Sequence, residues 1–262
     1  VRVGYYQFAP EPGAVAANLA RIRRALSDVR ADLLVLPELC LSGYLFPSRE
    51  ALRCCAEPVP DGPCLRALAA TCAERGLSLV LGIAEAAGDR LFNTAVLITG
   101  GGTVHRYRKA HLFMDEKDLF DPGDTPFPVF AIGPVRIGLL VCFDHFYPEA
   151  ARALALKGAQ IVCHPANLVL QHAQTTTRSR AIENRLFWIM ANRIGVEADT
   201  RRSLAFTGAS QIVAPDGEIL VRSRADTEEL VVVEIDPTQA LDKHVTPRND
   251  LLADRRTDLY SA

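Results

Sequence analysis

Three apolar runs in this chain each lead to a side chain that can do chemistry. Leu33-Leu34-Val35-Leu36 leads into Pro37-Glu38, a second run closes on Tyr107-Arg108-Lys109, and Ile137-Gly138-Leu139-Leu140-Val141 leads into Cys142-Phe143-Asp144. In alpha/beta proteins ligands bind beyond the carboxyl ends of strands, so all three reactive groups fall where one site would form. A thiol nucleophile, a carboxylate that moves protons and an ammonium that holds a developing oxyanion suffice for acyl transfer without histidine.

Each of these residues has a plainer reading, and context decides between them. An isolated cysteine is most often a small buried hydrophobe, which is the reading kept for Cys40, Cys54, Cys55, Cys64 and Cys72. Cys142 differs because it leaves a core strand for a turn carrying Asp144 and Tyr147-Pro148-Glu149, with the Phe143 backbone N–H available to the same space. Cys163 is its one rival. Lys109 stands out because the chain has only four lysines against 25 arginines. A compact ammonium suits a single oxygen atom better than a planar guanidinium does. Glu116, seven residues after Lys109, is a second carboxylate within reach of the cluster.

The elements that must position these groups follow from hydrophobic periodicity and turn residues. Val1–Phe8 and Asp32–Leu36 read as buried strands flanking an amphipathic helix over Gly13–Val29. A helix over Pro63–Arg75, stopped by Gly76, precedes strands over Leu77–Ala84, Asn93–Thr99 and Thr103–Arg108, the last two forming a hairpin across Gly100-Gly101-Gly102. The second half repeats the plan. It has a strand over Val135–Val141, a helix over Pro148–Lys157, a strand over Ala159–Cys163, a helix around Ser179–Arg185 and a strand over Trp188–Arg193. A hairpin over Gly208–Val213 and Glu218–Val221 turns at Pro215-Asp216-Gly217. Two similar alpha/beta halves with mixed sheets, packed sheet to sheet beneath outer helices, are expected.

Composition narrows the function class. With 262 residues, 49% of them hydrophobic, the chain can bury a substantial core, and it reads as one domain over 1–262 with a charged tail from about Pro237 that fits a subunit contact. Its 29 basic and 31 acidic residues nearly balance without a basic stripe, which argues against nucleic acid as a partner. No apolar stretch approaches the ~20 residues of a membrane helix. The seven cysteines fit buried free thiols rather than a secreted disulfide framework, so a cytoplasmic enzyme acting on a small molecule is expected.

Pro37-Glu38, Tyr107-Arg108-Lys109-Ala110-His111-Leu112-Phe113 and Cys142-Phe143-Asp144 with Pro148-Glu149 together resemble the nitrilase superfamily of carbon–nitrogen hydrolases. Pro122-Gly123, His164-Pro165-Ala166-Asn167 and Arg180-Ala181-Ile182-Glu183-Asn184 extend the resemblance over essentially the whole chain, and the stretch Cys142–Glu149 is especially similar to small archaeal nitrilase-like members. The resemblance implies a four-layer α-β-β-α sandwich, catalytic Glu38, Lys109 and Cys142, Glu116 as a second glutamate orienting the site, and a homodimer whose C-terminal tails cross between subunits. No cofactor is expected, and no metal, because the Cys-x-x-His and Cys-His pairs match no strong zinc spacing.

Amide, nitrile and N-carbamoyl substrates share this thiol chemistry, so the catalytic residues do not choose among them. Nitrilases proper more often carry Cys-Trp-Glu at the nucleophile. Cys142-Phe143-Asp144 therefore favours an amidase releasing ammonia through a thioester, and the absence of arginine from Phe143 to Glu149 disfavours a carbamoylase. Tyr44, Phe46, Phe113, His145, Phe146 and Asn167 are the expected pocket walls and suit a small or partly apolar acyl group. Three alternatives carry less weight: a cysteine–histidine hydrolase using His111, His145 or His164; a metal site from Cys142, His145, Cys163 and His164; and a non-catalytic ligand-binding relative.

Overall fold

The structure is a computed structural model describing residues 1–199 and 202–260. Its first half runs β1 (Arg2–Gln7), α1 (Val15–Asp28), β2 (Leu33–Val35), α2 (Arg49–Cys55), α3 (Pro63–Arg75), β3 (Ser78–Ala87), β4 (Arg90–Ile98) and β5 (Val104–Arg108). After α4 (Glu116–Leu119), the second half runs β6 (Val129–Ile132), β7 (Val135–Leu139), α5 (Pro148–Leu156), β8 (Ile161–Ala166), α6 (Ala173–Asn184) and β9 (Phe187–Asn192). A small hairpin of β10 (Val196–Ala198) and β11 (Ser203–Ala205) precedes β12 (Gln211–Val213), β13 (Ile219–Arg222) and β14 (Glu229–Glu234). A terminal hairpin, β15 (His244–Thr246) with β16 (Asn249–Asp250), follows.

Two mixed six-stranded sheets result, ordered β14-β1-β2-β3-β4-β5 and β13-β12-β9-β8-β7-β6. Each has three parallel strands at its centre, β1-β2-β3 in one and β7-β8-β9 in the other, flanked by antiparallel pairs. Period-two alternation assigns the faces. Val3, Tyr5, Leu33 and Val35 join Ile137, Leu139, Cys163 and Ile189 in the core shared by the sheets. Tyr6, Phe8, Leu34 and Leu36 point the other way, onto Ile22 and Leu26 of α1 and Leu65 and Leu68 of α3. Ala151, Leu154 and Ala181 of α5 and α6 cover the second sheet. The architecture is the expected four-layer α-β-β-α sandwich.

Local chemistry explains where most elements begin and end. Pro63 opens α3 and Gly76 closes it in the left-handed region at φ 62°, its N–H returning to the Cys72 carbonyl. The Ser48 hydroxyl accepts from the Ala51 N–H and caps α2, a helix absent from the sequence expectation because only Leu52 of it is fully buried. α6 begins at Ala173, six residues earlier than the periodicity indicates. Its first turns present a polar Gln-Thr-Thr-Thr run, of which Thr177 is nonetheless buried. β14 was not anticipated either; it pairs antiparallel with β1, more than 220 residues away.

Beyond Pro237 the chain forms a short 3-10 turn, the β15–β16 hairpin and a second 3-10 turn, leaving Leu241, Val245, Leu259 and Tyr260 exposed. Lys243 anchors this segment by donating to the Asn184 and Arg185 carbonyls at the end of α6. Among the described residues, no helix is long and apolar enough to cross a membrane.

Candidate active site

Glu38 lies just past β2, Lys109 just past β5 and Cys142 just past β7, so the ends of three strands from two sheets converge. All three side chains are essentially buried. Two glycines allow the close approach. A Cβ on Gly82 would lie 2.4 Å from the Glu38 Cα, and one on Gly123 would lie 2.2 Å from the Arg108 carbonyl oxygen. Backbone bonds then fix the crossing segments: Gly82 N–H donates to the Pro37 carbonyl, and Gly123 N–H to the Lys109 carbonyl.

The Lys109 ammonium is the hub. Nζ donates to Glu38 Oε1 at 2.7 Å and to the Glu116 carboxylate at 2.7–2.8 Å. Burial works against the charged amine, but Glu116 and Glu38 together outweigh it and hold its pKa above the usual lysine range. Glu116 also accepts from the Tyr44 hydroxyl at 2.7 Å and from the Phe113 N–H at 3.1 Å. Burial still raises its pKa above the ordinary carboxylate range, against the pull of Lys109. Glu38 receives a second bond on Oε1, from Asn93 Nδ2 at 2.6 Å, while its Oε2 is buried with no partner. One oxygen is clamped and the other is bare, the arrangement a proton-transfer group requires.

Cys142 adopts φ 42°, unusual for a residue with a side chain, at the start of a 3-10 turn over Cys142–Phe146. Burial first, then the Glu38 charge, raises its thiol pKa well above the ordinary value, with Lys109 and the Asn167 backbone N–H opposing. The thiol therefore rests protonated and needs a base to become nucleophilic.

Asp144 couples the two loops. Its Oδ2 accepts from the Val141 N–H and the Tyr107 hydroxyl, and its Oδ1 from the His111 backbone N–H at 3.1 Å, with His111 Nδ1 at 2.8 Å. Thus the residue two past the cysteine holds the loop that carries Lys109. The two motifs with no assigned task in the sequence also act here. His164 Nε2 and His145 Nδ1 both bond the Cys142 carbonyl, at 2.9 and 2.7 Å, and Arg180 donates to the His145 and Phe146 carbonyls. Among the described residues no histidine bonds the Cys142 thiol, and His145 and His164 bond its carbonyl instead, which weakens the cysteine–histidine alternative. Cys163 is fully buried in β8 with its pKa pushed up by burial, so it does not compete as a nucleophile.

A small, partly open cavity lies at Cys142. Phe113, Phe143, Phe146 and Leu168 to Leu170 supply apolar walls, and His145 and Asn167 supply polar atoms. Phe113, His145, Phe146 and Asn167 thus lie where the sequence expected pocket walls. Tyr44 and Phe46 do not line it. Tyr44 turns its hydroxyl to Glu116, and Phe46 packs in a separate cluster with Leu39 and Leu52. Asn93 went unrecognised because an asparagine inside an apolar strand gives no local sign that its partner is 55 residues away.

A buried thiol beside an ammonium clamped by two carboxylates, at strand ends of an α-β-β-α sandwich, defines a thiol-dependent hydrolase of the amidase/nitrilase type. Residues 2–241 match the carbon–nitrogen hydrolase family model, and the chain belongs to that family. It is 40% identical to a nitrilase of Pyrococcus abyssi, over 99% of both chains. It is 37% identical to an (R)-stereoselective amidase of a Pseudomonas species, over 98% of this chain and 92% of that one. Among solved structures it resembles an amidase from Nesterenkonia sp. AN1, with TM-score 0.81 and 30% identity over 99% of this chain and 95% of the other. One structure of that amidase shows acrylamide added at its active-site cysteine.

Proposed function

We propose that the protein hydrolyses small-molecule primary amides to carboxylic acid and ammonia through a thioester on Cys142. The observation that carries this reading is the split environment of Glu38. Its Oε1 is fixed by Lys109 and Asn93, its Oε2 is bare, and its charge acts on the Cys142 thiol, which rests protonated.

Glu38 Oε2 takes the thiol proton as Sγ attacks the amide carbonyl carbon. The carbonyl oxygen gains the negative charge and is held by Lys109 and the Phe143 N–H. Two of the three ammonium N–H groups suffice for the two carboxylates, leaving one for this oxyanion. Collapse of the tetrahedral state breaks the carbon–nitrogen bond, and Glu38 returns the proton so that ammonia leaves. Water then attacks the thioester while Glu38 takes its proton, the acid departs, and the proton returns to the thiol. Glu116 keeps Lys109 in position throughout.

Cys142-Phe143-Asp144 and the resemblance to amidases favour amides, while the 40% identity to a nitrilase supports nitriles as the second reading. Ammonia release over a panel of amides, nitriles and ureido acids, with Cys142→Ala as the blank, decides between them. Turnover of nitriles but not the matching amides would overturn the amidase assignment.

A further inference from the structure

The cavity at Cys142 is mostly apolar, yet three buried polar side-chain atoms on two of its lining residues have no partner: Asn167 Oδ1, Asn167 Nδ2 and His145 Nε2. Both residues are 3% exposed. Buried polar groups without partners are costly and rare in native proteins, so their persistence beside a reactive group points to a ligand that satisfies them.

The protonation of His145 follows from its neighbour. Nδ1 faces the Cys142 carbonyl at 2.7 Å, and a carbonyl only accepts, so Nδ1 carries the hydrogen. Burial disfavours the imidazolium, leaving Nε2 a bare lone pair near neutral pH. His164 is fixed in the complementary way. Its Nδ1 faces the Trp188 indole N–H, a donor only, so Nε2 carries the hydrogen to the same carbonyl. The cavity therefore offers an acceptor at His145 and both an acceptor and a donor at Asn167.

The scissile amide does not use these atoms. In the proposed reaction its oxygen goes to Lys109 and the Phe143 N–H and its nitrogen to Glu38. We infer that the acyl group of the substrate carries a second, neutral hydrogen-bonding group that donates to His145 Nε2 and pairs with Asn167, as a hydroxyl or a second carboxamide would, on a small apolar frame. Among the described residues no carboxylate or guanidinium lines the cavity, which favours a neutral group over a charged one. This inference rests on the amidase reading and adds the class of acyl group to it.

The test compares matched primary amides that differ only in one hydroxyl, such as lactamide with propionamide and mandelamide with phenylacetamide, using the full chain. The hydroxylated member should have a kcat/KM about 10- to 100-fold higher, the range set by leaving buried partners unpaired. That ratio, read within each variant, should collapse toward one in Asn167→Leu and in His145→Phe whatever happens to the overall rate, with far-UV circular dichroism and urea denaturation reporting that each variant is folded. Equal turnover of both members by the wild-type protein overturns this inference while leaving the amidase reading intact. A wild-type preference that survives in both variants overturns the assignment to His145 and Asn167. Hydrolysis of no amide at all overturns the amidase reading, and this inference with it.

Discussion

Glu38 and Lys109 share a single oxygen: the ammonium binds Oε1 at 2.7 Å and leaves Oε2 buried and bare. The pair thereby separates two tasks that one carboxylate would otherwise confuse, anchoring a cation and moving a proton. Glu38→Gln preserves the shape and can keep an oxygen toward Lys109, yet removes the base. Turnover should fall about 10²- to 10⁴-fold. Alkylation of Cys142 by iodoacetamide at neutral pH should slow as well, because the buried thiol does not ionise unaided. Peptide mapping of the labelled cysteine measures this. Unchanged labelling would mean that another group activates the thiol.

Asn93 should behave as a positioning residue. It donates to the oxygen that Lys109 also holds, at 2.6 Å, so it fixes the rotation of the carboxylate and the direction in which Oε2 points. Asn93→Leu should lower kcat about 10- to 100-fold, since small misplacements of reacting groups carry costs of that order, and leave KM nearly unchanged. A loss expressed wholly in KM would place Asn93 in substrate binding instead.

How much of this was visible in the sequence depended on whether a residue's role was local. Glu38 and Cys142 announce themselves because each follows an apolar run that a strand must bury, whereas Lys109 ends the mixed strand Val104–Arg108 and stands out as one of only four lysines. Glu116 could be weighed only as a nearby carboxylate until the resemblance gave it a role. Tyr44 was expected as a pocket wall from its aromatic character, and what no local pattern showed is that its hydroxyl donates to Glu116, 72 residues along the chain. β14 was missed for a related reason. Its half-buried Val-Val-Val run lies past the last hairpin, and only its pairing with β1 gives it a place in the first sheet. The division into strands and outer helices needed only periodicity, but the sheet order needed contacts that no local pattern carries.

Gly82 tests whether the approach of the Glu38 segment to β3 matters for catalysis. An added Cβ would lie 2.4 Å from the Glu38 Cα and 2.8 Å from the Leu39 nitrogen, both backbone atoms that cannot rotate away. Gly82→Ala should cost about 1–3 kcal/mol in stability and reduce kcat more than ten-fold by displacing the carboxylate. Gly101→Ala is the control, because its nearest neighbour would be the Thr99 hydroxyl at 3.8 Å. Urea denaturation and kcat measured together distinguish the two variants. A Gly82→Ala protein that keeps full activity would show that the segment shifts without consequence.

The histidines beneath Cys142 predict an acid weakness in the fold. Burial lowers the pKa of His145 to about 4 and that of His164 to about 3, against 6.5 for an unhindered imidazole. The unfolded chain therefore takes up protons below pH 6.5 that the native protein refuses. Stability is full above that pH and falls as the pH drops toward 4 for His145 and 3 for His164. Each group contributes a slope of about 1.4 kcal/mol per pH unit once its unfolded form is protonated. The two together should cost roughly 2–4 kcal/mol between pH 7 and pH 5, before most carboxylates titrate. His164→Gln keeps a donor for the Cys142 carbonyl without the titration and should roughly halve the slope of the urea midpoint against pH. A wild-type midpoint that is flat from pH 7 to 5 would show that the buried rings accept protons in the native state, and with them that the lone pair assigned to His145 Nε2 is not preserved.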